Sequence, residues 1–172
     1  GCDNNSGGCN VSIGALTLKK NTTGDRNVAL GYTALDANTT GDENIAIGFN
    51  ALGANTTATD NVAIGVDALK SNVTSGNNTS VGANSGENST GVNGTYFGHN
   101  AGKNVTTGDN NTLLGESAGT DAVRNVTSGD NEIVIGNNVH ASAFIKVFFT
   151  VTSDLRDKTN IEDVPHGLFF FF

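Results

Sequence analysis

The residues of this chain that could do chemistry recur at a fixed interval. Asn-X-Ser/Thr triplets stand at Asn21, Asn38, Asn55 and Asn72, 17 residues apart, with others at Asn78, Asn88, Asn93, Asn104, Asn110 and Asn125. In a secreted protein such an amide is an acceptor for N-linked sugar. The same spacing also suits a ladder of turn amides stacked from one repeat to the next. Asp25, Asp42, Asp109 and Asp130 occupy equivalent turns, and stacked carboxylates can hold Ca²⁺. The Gly-Gly-X-Gly-X-Asp form of calcium solenoids is missing, so solvated turn carboxylates and no metal are the expectation. Cys2 and Cys9 are the two cysteines. They are too few for a zinc site and leave a local disulfide and two free thiols both open. His99, His140 and His166 have no Cys or carboxylate at ligand spacing and read as surface or interface residues. No carboxylate pair recurs in a glycosidase-like context, and no cofactor is expected.

Composition narrows the frame that must position these groups. The 172 residues include 23 Gly, one Pro and neither Trp nor Met. The hydrophobic fraction is 36%, much of it Ala and β-branched residues, so the core is thin and built from short strands. A formal charge of -8, carried by scattered acids, argues against a nucleic-acid partner. No apolar run is long enough for membrane insertion, and Gly1-Cys2-Asp3-Asn4-Asn5 has neither the basic nor the apolar region of a signal peptide.

Internal repetition decides the fold class. Asn10-Val11-Ser12-Ile13-Gly14, Asn27-Val28-Ala29-Leu30-Gly31, Asn44-Ile45-Ala46-Ile47-Gly48 and Asn61-Val62-Ala63-Ile64-Gly65 align with period 17. The glycine series Gly14, Gly31, Gly48, Gly65 continues through Gly82, Gly98 and Gly115 to Gly136, the last after a 21-residue unit. Each unit reads as strand, turn, strand, turn. The second segment is Ala34-Leu35, Ala51-Leu52 or Ala68-Leu69, then Ser85-Gly86, Ala101-Gly102 and Ala118-Gly119, which implies a repacked interior. Thr-Gly-Asp triplets such as Thr23-Gly24-Asp25 supply turns. One unit cannot fold alone and must gain stability by stacking. The prediction is an all-β parallel β-roll or β-solenoid of about eight coils over residues 9–139. At about 4.8 Å per strand it forms a rod roughly 40 Å long. The large-small-large alternation is read with Val28 and Leu30 inward and Ala29 outward, so that rows of Ala favour side-by-side chains. Residues 1–8 form a leading segment and 140–152 a connecting strand. Variable turns, 86–94 and 118–124, are the places for receptor specificity.

Asn61-Val62-Ala63-Ile64-Gly65 resembles the repeat of trimeric adhesin heads, whose strands form left-handed parallel β-rolls. With their Asn-Thr-Thr-Gly-Asp connectors, the same units also resemble the shafts of bacteriophage tail fibres, those of cyanophages in particular. The resemblance implies a homotrimer.

The run Thr150-Val151-Thr152-Ser153-Asp154-Leu155-Arg156-Asp157-Lys158-Thr159-Asn160-Ile161, continued by Val164-Pro165-His166-Gly167-Leu168, is similar to the start of the peptidase S74 intramolecular chaperone of phage tail proteins. In that family the chaperone assembles the trimer and then cuts itself off, using a serine activated by a lysine five positions on. The matching pair is Ser153 and Lys158, which implies cleavage at Thr152-Ser153, the lysine acting as base once desolvation lowers its pKa. Asp154, Arg156 and Asp157 read as scaffold. The family's domain runs on for many tens of residues, whereas residues 153–172 end in four Phe and read as a shortened version. The expectation is a virion tail segment that binds a host cell-surface glycan or protein receptor and other tail proteins, with no enzymatic turnover beyond self-cleavage. The rival is a cellular surface adhesin or N-glycosylated extracellular filament built from the same coil.

Overall fold

A computed structural model describes residues 7–121 and 124–139, all within the unit Gly1–Ala141. Cys2, His140, the segment 140–152, Thr152, Ser153, Lys158 and His166 lie outside the described residues. Eight three-residue strands follow one another: β1 Val11–Ile13, β2 Val28–Leu30, β3 Ile45–Ile47, β4 Val62–Ile64, β5 Thr79–Val81, β6 Thr95–Phe97, β7 Thr112–Leu114 and β8 Ile133–Ile135. They pair in chain order into a single parallel sheet, the wall of a β-solenoid whose eight strands bound seven turns. No helix occurs among the described residues.

The register follows the repeat, with Val11 beside Val28 and Val28 beside Ile45. Where a unit is short or long the strands still align, Thr79 with Thr95 and Thr112 with Ile133, so the length changes are absorbed in the turns. Strands of three residues have no stability alone, and the coil closes them through backbone bonds to the next turn, such as Val28 N–H to Asn44 O at 2.8 Å and Gly31 N–H to Ile13 O at 2.9 Å.

Sharp corners require left-handed backbone. Three positions before the centre of each strand, Cys9, Arg26, Glu43, Asp60, Asn77, Asn93, Asn110 and Asn131 have φ of 55 to 62°. Asn, which tolerates this region best after Gly, holds the position in the later coils. After each strand comes a glycine of the 17-residue series, with φ between 82 and 141°. At that corner the backbone of one coil lies against the next, a contact with no room for a side chain.

The strands face the opposite way from the sequence expectation. Ala29, Ala46 and Ala63 are fully buried, whereas Leu30 is 42% and Ile64 36% exposed. The lumen is narrow, and the opposite wall already delivers a leucine into it: Leu35, Leu52 and Leu69 are each fully buried. Only a small residue fits across from them, so the large aliphatics of each strand point out.

The later coils show the same volume rule with the sizes exchanged. Tyr96 and Leu113 take the inward strand position, and the leucines opposite become Gly102 and Gly119. A Cβ on Gly102 would lie 2.4 Å from Tyr96 Cδ1, and one on Gly119 2.9 Å from Leu113 Cδ1. Between the two regimes Ser80 and Ser85 meet at 2.5 Å, and the ring of Tyr96 fills the space beside Gly86. The Tyr96 hydroxyl shares a 3.1 Å hydrogen bond with Ser89, and burial pushes the phenol above its ordinary pKa. Tyr96→Ala should therefore destabilise the stack by about 3–5 kcal/mol through an unfilled cavity. Adding Gly102→Leu, which restores the Ala-plus-Leu pairing of the first coils, should recover most of the loss in urea denaturation. No recovery would mean that the lumen is not filled coil by coil.

Candidate functional site

In a strand, first and third residues share a face, so each coil presents two outward positions. One column runs from Val11 to Ile133 and the other from Ile13 to Ile135, and 13 of these 16 positions are apolar. Phe97 is 56% and Ile135 69% exposed. Past the glycine corner the apolar surface widens in the first coils, where Tyr32, Phe49 and Val66 are exposed. The rings of Tyr32 and Phe49 stack at 5.8 Å with 11° between their planes. In later coils that third column turns polar, with His99 3.7 Å from Glu116. Seven strand spacings give a patch about 34 Å long. A continuous apolar face of that length on a protein surface marks an interaction site.

The remaining polar residues hold the rod rigid. Asn38 Nδ2 donates to Asn21 Oδ1 at 2.9 Å and to Gly41 O at 3.0 Å, and Asn55 Nδ2 donates to Asn38 Oδ1 at 2.9 Å. Asn72 instead closes on its own turn, donating to Ser75 O at 2.7 Å and accepting the Ser75 N–H. All four are fully buried, which favours the stacked amide ladder over sugar acceptance at Asn21, Asn38, Asn55 and Asn72. A glycan on any of these amides has no room in the folded coil and would displace a buried hydrogen bond. In the later coils Val105 and Val126 line the interior instead. Of the other triplets, Asn78 is buried and Asn104 half-buried, while Asn88, Asn93, Asn110 and Asn125 are exposed.

A second amide ladder, read in the sequence only as an alignment of the units, precedes six of the eight strands, with Gly94 before β6 and Glu132 before β8 in its place. Asn27 N–H donates to Asn10 Oδ1 at 2.8 Å and Asn27 Nδ2 to Gly41 O at 2.8 Å; Asn44 repeats both bonds, to Asn27 Oδ1 at 3.0 Å and Ala58 O at 2.8 Å. The signal was an Asn at the same place in successive apolar strands, each able to satisfy one donor and one acceptor of its neighbours.

The turn aspartates are engaged in the same way. Asp42 Oδ1 accepts the Asp25 N–H at 2.7 Å, and Asp130 Oδ1 accepts the Asp109 N–H at 2.8 Å. Their carboxylates bind backbone of the preceding coil, and among the described residues no group of three or more His, Cys, Asp or Glu is gathered as metal ligands. Threonine hydroxyls act alike, Thr22 on Thr39 O and Thr39 on Thr56 O. Glu87 lies between Lys70 at 3.7 Å and Lys103 at 3.3 Å. On either side of 122–123, Asp121 accepts the Asn138 N–H at 2.6 Å and Arg124 Nε donates to Glu132 at 2.6 Å. Cys9 is exposed with a free thiol.

Comparison with protein-family models, curated proteins and solved structures finds no match to this chain.

Proposed function

We propose that this chain is a structural and adhesive segment of a bacteriophage tail fibre, assembled as a homotrimer along its outward sheet face. The observation that carries the reading is that face: an apolar surface running the length of the rod, which identical chains side by side would shield from water. The polar groups around it are hydrogen-bonded from coil to coil, which suits a stiff shaft. The repeat's likeness to tail-fibre shafts supplies the biological setting, a virion tail with a cell-surface glycan or protein as receptor and other tail proteins as neighbours. The likeness of residues 150–168 to the chaperone start supplies the maturation step, attack by Ser153 with Lys158 as base and release at Thr152-Ser153. The rival, a cellular surface adhesin or N-glycosylated extracellular filament, loses the support of a sugar on every coil because the periodic asparagines are interior.

Native mass spectrometry of the protein from its natural source tests the reading. A trimer of unmodified chains ending beside Ser153 is the expected spectrum. A monomer, or a sugar-bearing polymer intact through Ser153, would overturn it.

A further inference from the structure

We propose that Thr79, Thr95 and Thr112 are a register lock: they hold identical copies side by side, parallel, with like coils level. The inference rests on the assembly reading above and adds orientation and axial register to it.

The three threonines interrupt a column that is otherwise aliphatic, with Val62 before them and Ile133 after. Threonine and valine have nearly the same shape, so strand geometry does not call for the hydroxyl. Nor does any contact within the chain. The hydroxyls of Thr22, Thr39, Thr56, Thr90 and Thr106 each donate to a carbonyl of the following coil. Those of Thr79, Thr95 and Thr112 make no hydrogen bond among the described residues. Their neighbours on the face, Val81, Phe97 and Leu114, are apolar.

A covered face must satisfy these three hydroxyls or leave them buried without partners. Another copy of this chain, parallel and level, brings the same three hydroxyls to the same height, where each can donate and accept. It also sets aliphatic coils against aliphatic coils at both ends. An inverted copy overlapping along all eight strands would set Thr79 against Val62, Thr95 against Ile45 and Thr112 against Val28. A slip of one coil, about 4.8 Å, would again place threonine against valine. An inverted copy centred on Thr95 would pair the same hydroxyls but leave β1, β2 and β3 with no facing strand. Only the level parallel arrangement satisfies all three while covering every coil, which is how a few polar groups in an apolar seam select one register.

The test uses the full chain with Cys2→Ser and Cys9→Ser, adding Ile47→Cys in one preparation and Phe97→Cys in another. Level parallel copies link Ile47→Cys chains to one another, whereas inverted copies link an Ile47→Cys chain to a Phe97→Cys chain, since coils three and six then meet. In mixtures oxidised in air, self-links should exceed cross-links at least about tenfold. In chains that also carry Thr79→Val, Thr95→Val and Thr112→Val, the preference should fall to near unity while sedimentation still reports the same assembly. If the valine chains keep the preference, or if assembled chains do not self-link, the register lock is overturned and the fibre-segment reading stands. A monomer at every concentration overturns both.

Discussion

Gly48→Ala is expected to unfold the coils around it. A Cβ at this position would lie 2.4 Å from the Gly65 carbonyl oxygen and 2.6 Å from its carbonyl carbon, where φ is 135°. Both faults are backbone faults, since no side chain can swing away and the conformation is one that essentially only glycine adopts. Gly65 cannot retreat either. Its N–H is bonded to Ile47 O at 2.7 Å, and its own Cβ position lies 2.3 Å from Gly82 O. A displacement would pass up the column, and stability in a stacked repeat depends on each interface between neighbours. The loss should exceed about 4–5 kcal/mol, read as absence of a cooperative urea transition by circular dichroism. Gly53→Ala is the control. Its φ is not positive, its nearest obstacle is the Asn50 side chain, and Lys70 and Glu87 hold the same place in later coils. A Gly48→Ala chain that unfolds with wild-type stability would show that the close coil contact does not hold the rod together.

The glycine column explains why the architecture could be read from the sequence. A residue without a side chain every 17 positions, flanked by three-residue apolar strands, fits backbone stacked on backbone, and parallel β coils follow. The direction of the strands could not be read from the same pattern. Val28-Ala29-Leu30 alternates, and a period of two says that its faces differ without saying which is inside. The deciding information was in the other wall, where Leu35 faces Ala29 and Gly102 faces Tyr96: the sum of the two volumes is what the lumen conserves. Asn38 illustrates a different limit. Its triplet has the same letters whether the amide meets an enzyme or Asn21 Oδ1, and only the fold distinguishes them. Thr152, Ser153 and Lys158 lie outside the described residues, and their proposed role rests on the resemblance of their motif.

With the strands reversed, the face proposed for assembly is lined by aliphatics instead of alanines, and Ile64→Glu should dissolve the proposed assembly. Ile64 is 36% exposed in the single chain, so a glutamate there can reach water and should leave the coil's own stability nearly unchanged. Among level copies the same substitution places like carboxylates together inside an apolar seam. Removing them from water and from one another favours dissociation, and sedimentation should report monomers with an unaltered circular dichroism melt. The titration has a definite sign. Burial among like charges raises the glutamate pKa in the assembly above its free value of about 4.3. Association is therefore available at pH below that value and is lost as pH rises through the raised one. Acidifying the Ile64→Glu chain should restore the assembled mass, whereas Ala63→Glu, aimed into the lumen, should unfold the coil at neutral pH. If Ile64→Glu stays assembled at neutral pH, the copies meet elsewhere, and the outward columns are left to bind a different partner.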